Sequence, residues 1–159
     1  MRKTALGFTL IELLVVISII GILATLVAAD LNSARSRARD TERKSDLKNI
    51  QTALRLYYND YGSYPASNSS GDILGCGTSG TSACTWGSEW AAGPANKIIY
   101  MPVLPADPSS VQTYFYLQGA DTDSYTISAC LENASDTSGK NLGINGWNCS
   151  SSWVFQVSQ

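Results

Sequence analysis

The chain begins with a short basic segment and continues into a long apolar run. Residues 1–7 carry Arg2 and Lys3, and the run from Phe8 to Ala29 contains one charged residue, Glu12. At about 1.5 Å of rise per residue, a helix of this length covers roughly 33 Å, enough to cross the hydrocarbon core of a bilayer. The pattern predicts a membrane-spanning helix with a carboxylate near its start.

The polar pattern that follows predicts a continuation of the same helix. Residues 32–46 are polar on every side, and apolar residues then return at spacings of three and four, which place them on one helical face. These are Leu47, Ile50, Leu54, Tyr57 or Tyr58, and Tyr61. Gly62 and Pro65 supply a stop signal. We predict one helix from about Phe8 to Tyr61, roughly 80 Å long.

The remaining residues, 62–159, predict a small globular head. Residues 62–97 are rich in Gly, Ser and Thr and predict a long loop with a short helical turn near Trp86–Ala92. The best strand patterns are "TYFYLQ" and "SYTISACLE", joined by a hairpin connection, and "WVFQV" is a weaker third. The predicted fold class is therefore α+β, with a long N-terminal helix against a small antiparallel sheet.

Four cysteines, Cys76, Cys84, Cys130 and Cys149, all lie in the predicted head. An even number after a membrane segment favours disulfides in an oxidising compartment over buried free thiols. Three connectivities are possible. Local pairing, Cys76 with Cys84 and Cys130 with Cys149, closes the shortest loops, and each bridge would contribute roughly 2.5–3.5 kcal/mol by loop entropy.

Charge and composition exclude several classes of function. The net charge of −2 gives no basic field for nucleic acid, and we predict no nucleic-acid partner. The absence of histidine removes the commonest general base and metal ligand, so we predict neither an enzyme nor a cofactor or metal site. Asp107, Asp121 and Asp123 could supply oxygens to calcium, but acidic residues in turns are usually turn formers.

The segment "G-FTLIELLVVISIIGILA" resembles the N-terminus of type IV pilins and type II secretion pseudopilins. The stretch "DLKNIQTALRLYYNDYGSYP" is similar to the end of the helix in major pseudopilins and related pilins. The resemblance implies a pilin-like fold. It also implies cleavage by a prepilin peptidase between Gly7 and Phe8, N-methylation of Phe8, and an assembly role for Glu12. The chain has Ala28–Ala29 where many members have a proline, and the pseudopilin calcium loop has no clear match.

The resemblance divides the chain into four parts. Residues 1–7 would be a cytoplasmic leader, 8–29 a transmembrane and assembly helix, 30–61 its amphipathic continuation, and 62–159 the head. The expected product is a homo-oligomeric filament, either a pseudopilus or a type IV pilus. Its subunit would sit in membrane lipid before assembly and would need an inner-membrane assembly platform.

The location of the head and the role of the protein each have an alternative interpretation. Charge counting places two cations before the span and five soon after it, which alone favours a cytoplasmic head. The resemblance and the cysteines outweigh this count. We predict a single-pass membrane protein with a cytoplasmic N-terminus and an extracytoplasmic head, which then enters a periplasmic or cell-surface filament. The alternative function is a membrane-anchored binding module that does not assemble and that has no use for Glu12 or for cleavage at Gly7.

Overall fold

A computed structural model of the chain describes residues 8–94 and 98–159, apart from the side chains of residues 27–29. One helix is followed by short strands, so the α+β fold class is confirmed. The chain divides into two compact units, one ending at Ser36 and one covering Arg37–Gln159. In the described residues the elements are α1 (Leu10–Tyr61), β1 (Ala66–Ser67), β2 (Ile73–Cys76), β3 (Ser82–Ala83), β4 (Trp90–Ala92), β5 (Ile98–Met101), β6 (Phe115–Gln118), β7 (Tyr125–Cys130), β8 (Lys140–Asn141) and β9 (Trp153–Ser158).

Helix α1 stops where its sequence predicts. The amide of Gly62 donates to the carbonyl of Tyr58 over 2.8 Å, and Gly62 has a φ of 71°. Glycine adopts this left-handed conformation without the steric penalty that a Cβ would bring. The chain then turns away from the helix, and the amide of Tyr64 donates to the carbonyl of Thr122.

The head-packed part of α1 has a longer buried stripe than the apolar residues alone indicate. Leu47, Ile50 and Leu54 are fully buried, and the stripe continues backwards to Asp40 and Arg43, which are 2% and 0% exposed. These positions keep the spacing of three and four residues. The stretch predicted to be polar on every side therefore has a charged face against the head.

The main sheet has four antiparallel strands in the order β6-β7-β9-β8. Ile127 of β7 pairs with Tyr116 of β6 on one side and with Val157 of β9 on the other. Strands β6 and β7 form the expected hairpin. The "WVFQV" strand, expected to be the weakest, lies inside the sheet as β9, because β8 pairs with its outer side through Lys140 and Val154.

The predicted helical turn near Trp86–Ala92 is wrong. Residues 90–92 form strand β4, which pairs with β5 in a two-stranded sheet. Trp90 is fully buried there, and its indole nitrogen donates to the carbonyl of Gly75. Burial of a large aromatic ring with a satisfied polar atom outweighs the local turn signals of the surrounding Gly and Ser residues. The predicted long loop also contains β1, β2 and β3, which form a three-stranded sheet.

One core joins the helix to the sheets within the Arg37–Gln159 unit. The tyrosine stripe of the helix contributes unevenly, since Tyr57 is buried whereas Tyr61 is 40% exposed. The core contains Leu47, Ile50, Ala53, Leu54, Tyr57, Tyr64, Ile73, Cys76, Cys84, Trp90, Ala92, Tyr100, Leu104, Tyr114, Tyr116, Tyr125, Ile127 and Ala129.

Both disulfides have the local pairing. Cys76 at the end of β2 is bonded to Cys84, which follows β3, and their Cα atoms are 5.2 Å apart. Cys130 at the end of β7 is bonded to Cys149 in the segment before β9, with Cα atoms 5.3 Å apart. The first bridge closes the three-stranded sheet, and the second anchors the segment between β8 and β9 to the main sheet.

Candidate processing and assembly site

The apolar helix begins with a capping box. The hydroxyl oxygen of Thr9 accepts from the amide of Glu12 at 3.3 Å, and Glu12 Oε2 accepts from the amide of Thr9 at 2.9 Å. The Thr9 hydroxyl also donates to the same carboxylate oxygen at 2.7 Å. A threonine and a glutamate three residues apart satisfy each other's orphan amides in this way. In the isolated subunit, Glu12 therefore has partners in its own chain.

The apolar residues after the cap are exposed within the unit that ends at Ser36. Large side chains between Leu10 and Leu26 are exposed on every side, with Leu10 at 81% and Val16 at 47%. The helix is long and apolar enough to cross a membrane. A helix that is apolar all round needs either a core or a membrane around it.

Polar side chains inside the apolar segment are satisfied within the helix. The hydroxyl of Ser18 donates to the carbonyl of Leu14, and the hydroxyl of Thr25 donates to the carbonyl of Ile22, both at 2.8 Å. No water is present in a bilayer core to satisfy such groups. The segment therefore presents almost no unpaired hydrogen-bonding group outward between Leu13 and Leu26.

The structure describes only one of the two residues at the proposed cleavage position. Gly7 lies outside the described residues. Phe8 lies just before the cap and is 83% exposed. The roles of Gly7, Phe8 and Glu12 in processing and assembly stay predictions.

A buried ion cluster holds the head to the helix in the Arg37–Gln159 unit. Arg43 is fully buried and donates to both oxygens of Asp107, each at 2.8 Å. It also contacts Asp40 at 2.7 Å and Glu132 at 2.9 Å. Asp40 accepts, in addition, from the backbone amides of Glu132 and Asn133. One arginine thus fixes the segments before β6 and after β7 against the same helical turn.

Two further ion pairs flank this cluster. Arg39 donates to both oxygens of Glu132, with Nε to Oε1 at 2.7 Å. Lys44 pairs with Asp136 and lies over the ring of Phe155. Such partly exposed pairs each contribute little, but together with the buried cluster they hold the segment after β7 at several points.

The pairs shift the pKa values of their carboxyl groups. Hydrogen bonds from Arg39, and then from Arg43, lower the pKa of Glu132 to about 2. The hydrogen bond from Lys44, with those from Ser138, lowers the pKa of Asp136 to about 2. Burial alone would lower the pKa of Arg43, but the hydrogen bonds and charges of its carboxylate partners, Asp107 first, raise it. All of these groups stay charged at neutral pH.

The three candidate calcium ligands have other contacts. Asp107 binds Arg43, Asp121 accepts from the hydroxyl of Ser124, and Asp123 accepts from the hydroxyl of Tyr58. Among the described residues, no group of three or more metal-binding side chains comes together.

Sequence reasoning missed the capping box and the ion cluster. The box had a local signal, threonine followed by glutamate three residues later, at the start of an apolar run. The cluster had only a weak one, because the partners of Arg43 lie up to 89 positions away, at Glu132. An uneven charge distribution, with cations on the helix and acids in the head, was the available hint.

A helix with a capped, exposed apolar segment and a C-terminal part that packs in the core of an antiparallel head defines a pilin-like subunit. Two family profiles match the chain, the prokaryotic N-terminal methylation motif over residues 2–28 and type II secretion system (T2SS) protein G over residues 30–147. The second covers most of the chain, and the protein therefore belongs to the type II secretion system protein G family.

Individual relatives agree with the family. The chain is 36% identical to the type II secretion system core protein G of Pseudomonas aeruginosa over 67% of this chain and 70% of that protein. It is 37% identical to the core protein G of Escherichia coli K12 over 64% of this chain and 65% of that protein. It is 41% identical to the type IV wide pilus major component PilA4 of Thermus thermophilus over 46% of this chain and 56% of that protein. No solved structure matches the chain. These relatives are structural filament subunits, the class that the sequence predicts, and the prepilin-like resemblance is confirmed.

Proposed function

We propose that this chain is cut after Gly7, methylated on Phe8 and polymerised into a helical filament with its head outside the cytoplasm. Residues 1–7 are then the leader, 8–29 the transmembrane and assembly segment, 30–61 its continuation and 62–159 the head. A prepilin peptidase and an inner-membrane assembly platform are its expected partners. The observation that carries the proposal is the uncovered apolar helix with one carboxylate at its start.

Of the two kinds of filament, we favour the pseudopilus. The protein G profile covers residues 30–147, which include most of the head, whereas the type IV wide pilus component PilA4 of T. thermophilus matches 46% of the chain. A type IV pilus stays the second candidate, because the helix is common to both kinds of subunit. Both would be built by the same assembly chemistry.

The carboxylate of Glu12 supplies the assembly chemistry. Cleavage after Gly7 would make Phe8 a charged amine at the same membrane depth. A carboxylate in the bilayer core costs about 2.5–3.5 kcal/mol on insertion scales. The capping box reduces this cost in the isolated subunit, and pairing with the Phe8 amine of a neighbouring subunit would neutralise it. Two buried charges that are costly apart become tolerable together, which sets the register of assembly.

Two substitutions separate pairing from capping. Glu12→Gln keeps an acceptor oxygen for the Thr9 amide but removes the charge, whereas Glu12→Ala removes both. If the charge pairs with a neighbouring amine, both variants lose filaments by tenfold or more, since breaking a buried pair costs about 3–5 kcal/mol per subunit. The measurement is the yield of sheared filaments relative to membrane-bound monomer.

Other outcomes identify the competing roles of Glu12. Loss of filaments in Glu12→Ala alone would mean that only the cap matters. Normal filaments in both variants would contradict the pairing mechanism. Failure of the wild type itself to form filaments would favour the non-assembling anchored module. Asp30→Asn is the matched control, because it removes a carboxylate from the other end of the apolar run. Asp30→Asn should assemble normally.

A further inference from the structure

The helix carries five cations shortly after the apolar run, and the head uses only three of them. Arg39, Arg43 and Lys44 are paired with carboxylates of the head. Arg35 and Arg37 are exposed, and neither side chain has an ion pair or hydrogen bond within the described part of the chain. The head thus pairs with three of the cations and leaves Arg35 and Arg37, called here the unused pair, without an ion pair in the described residues.

The unused pair is also the group nearest to the membrane. Arg35 and Arg37 follow Ala29 by six and eight residues, about 9 and 12 Å along a helix. The lipid headgroup layer occupies roughly 5–8 Å beyond the hydrocarbon core. Side chains on a helix lean toward its N-terminus, which here is the membrane side, and long arginine side chains extend their charge toward an interface. Tilt of the helix brings both positions closer still.

Guanidinium groups suit the chemistry of that layer. Arginine presents several donors in a planar fork that binds phosphate oxygens in pairs. A cation near an anionic lipid surface gains about fivefold in association. Asp30, the acidic residue between the apolar run and the pair, lies five residues before Arg35, so it is not placed to form a helical ion pair with it.

We propose that Arg35 and Arg37 bind the phosphates of anionic phospholipid headgroups around the unassembled subunit. Each arginine binds independently from its own side of the helix, so no fixed two-residue pocket is required. The bound lipids hold the helix at a defined depth and form a first shell of anionic lipid around the chain. This inference rests on the proposed membrane insertion, but it does not depend on cleavage or on filament formation.

The test measures lipid selectivity of the full-length chain in mixed vesicles. Spin-labelled phosphatidylglycerol and phosphatidylcholine report how strongly each lipid associates with the protein. The wild type should prefer phosphatidylglycerol, and added salt should weaken the preference. Arg35→Gln with Arg37→Gln should reduce the preference by roughly fivefold for each arginine removed. Arg35→Lys with Arg37→Lys should keep most of it, because the charge remains.

The matched control removes two cations far from the membrane. Lys48 and Lys140 are both exposed and lie beyond the ion cluster in the sequence. Lys48→Gln with Lys140→Gln gives the same net charge as the arginine double variant and should keep the wild-type preference. An equal loss in both double variants would show a general effect of net charge and overturn the proposal.

Three further results would overturn it. Wild-type selectivity in Arg35→Gln with Arg37→Gln would exclude lipid binding. Reduced filament yield with unchanged lipid selectivity would assign the arginines to carboxylates of a second copy instead. A lower stability of the head in this variant would assign them to the head. Alkaline-carbonate extraction separates the two proposals: release of the wild type contradicts membrane insertion itself, whereas retention without lipid selectivity contradicts only this inference.

Discussion

At the scale of single residues, the carboxylates of Glu12 and Glu132 accept hydrogen bonds from different kinds of donor. Glu12 accepts from the amide and hydroxyl of Thr9, which are neutral groups. Glu132 accepts from two arginines. A neutral cap leaves a net charge that a later partner can neutralise, whereas an ion pair is already complete. The difference is consistent with an assembly role for Glu12 and a structural role for Glu132.

The lowered pKa of Glu132 predicts how the stability of the head depends on pH. Its pKa falls from the ordinary 4.5 to about 2, so the folded state favours the charged form. The stabilisation is present above about pH 4.5 and is lost as pH falls toward 2. Because the side chain is 31% exposed, solvent screening reduces the contribution to about 1 kcal/mol.

Glu132→Gln should therefore be less stable than the wild type at pH 6, with a free energy of unfolding lower by about 1 kcal/mol. This difference should vanish near pH 2. Urea unfolding followed by tryptophan fluorescence measures this, since all four tryptophans lie in the head. Glu42→Gln removes the same charge from an exposed helix position and reports the general effect of net charge. A Glu132→Gln difference that is constant between pH 2 and pH 6 would contradict the prediction.

At the scale of elements, the head-facing surface of α1 combines an apolar part with a charged part. Leu47, Ile50 and Leu54 form the apolar part, and Asp40 and Arg43 form the charged part. Replacement of a buried ion pair by apolar residues is often neutral or stabilising, so the cluster is weak evidence for stability by itself. We infer that its geometry gives specificity, because Arg43 binds the segments that carry Asp107 and Glu132 at the same helical turn.

Arg43→Met should destabilise the head strongly. The substitution leaves Asp107, whose side chain is fully buried, and Asp40 without their cation. Loss of one partner of a buried pair costs about 3–5 kcal/mol, which corresponds to a melting temperature lower by more than roughly 10 °C. Arg37→Met is the matched control, and it should change the free energy of unfolding by less than about 0.5 kcal/mol. Equal effects of the two substitutions on tryptophan-monitored unfolding would show that the cluster does not stabilise the head.

The elements also show which parts of the fold sequence patterns can predict. The helix and the β6–β7 hairpin follow from local periodicity, Gly62 and the alternation in "SYTISACLE". Strand β4 does not, because its position depends on pairing with β5 and on the burial of Trp90 by residues distant in sequence. The placement of β9 inside the sheet depends likewise on β8, a two-residue strand without a pattern of its own.

At the scale of the whole molecule, the chain combines an exposed apolar segment with a compact unit, Arg37–Gln159. The Arg37–Gln159 unit has its own core, two disulfides and an internal ion cluster. The described residues of the apolar segment show its cap and its internal hydrogen bonds. Sequence alone predicts this division, because apolar length and charge distribution are local properties. The ion cluster is missed because it depends on contacts between distant residues.

The division predicts that processing can be blocked without harm to the head. We expect Gly7→Leu to prevent cleavage by the peptidase, so that the chain keeps Met1 and stays in the membrane as an unassembled precursor. The wild type should yield a chain that begins with N-methylated Phe8. Intact mass and N-terminal peptide analysis of protein from cells with an active prepilin peptidase distinguish the two, and the tryptophan-monitored stability of the head should be equal in both.

Gly21→Ala is the control for a glycine in the same segment. A Cβ added at Gly21 meets no atom within 4 Å, so the helix accepts it in the unassembled chain. Its precursor should be cut as completely as the wild type. Recovery of Met1 from the wild type would contradict processing at Gly7. Cleavage of Gly7→Leu after its own position 7 would show instead that the peptidase does not require this glycine.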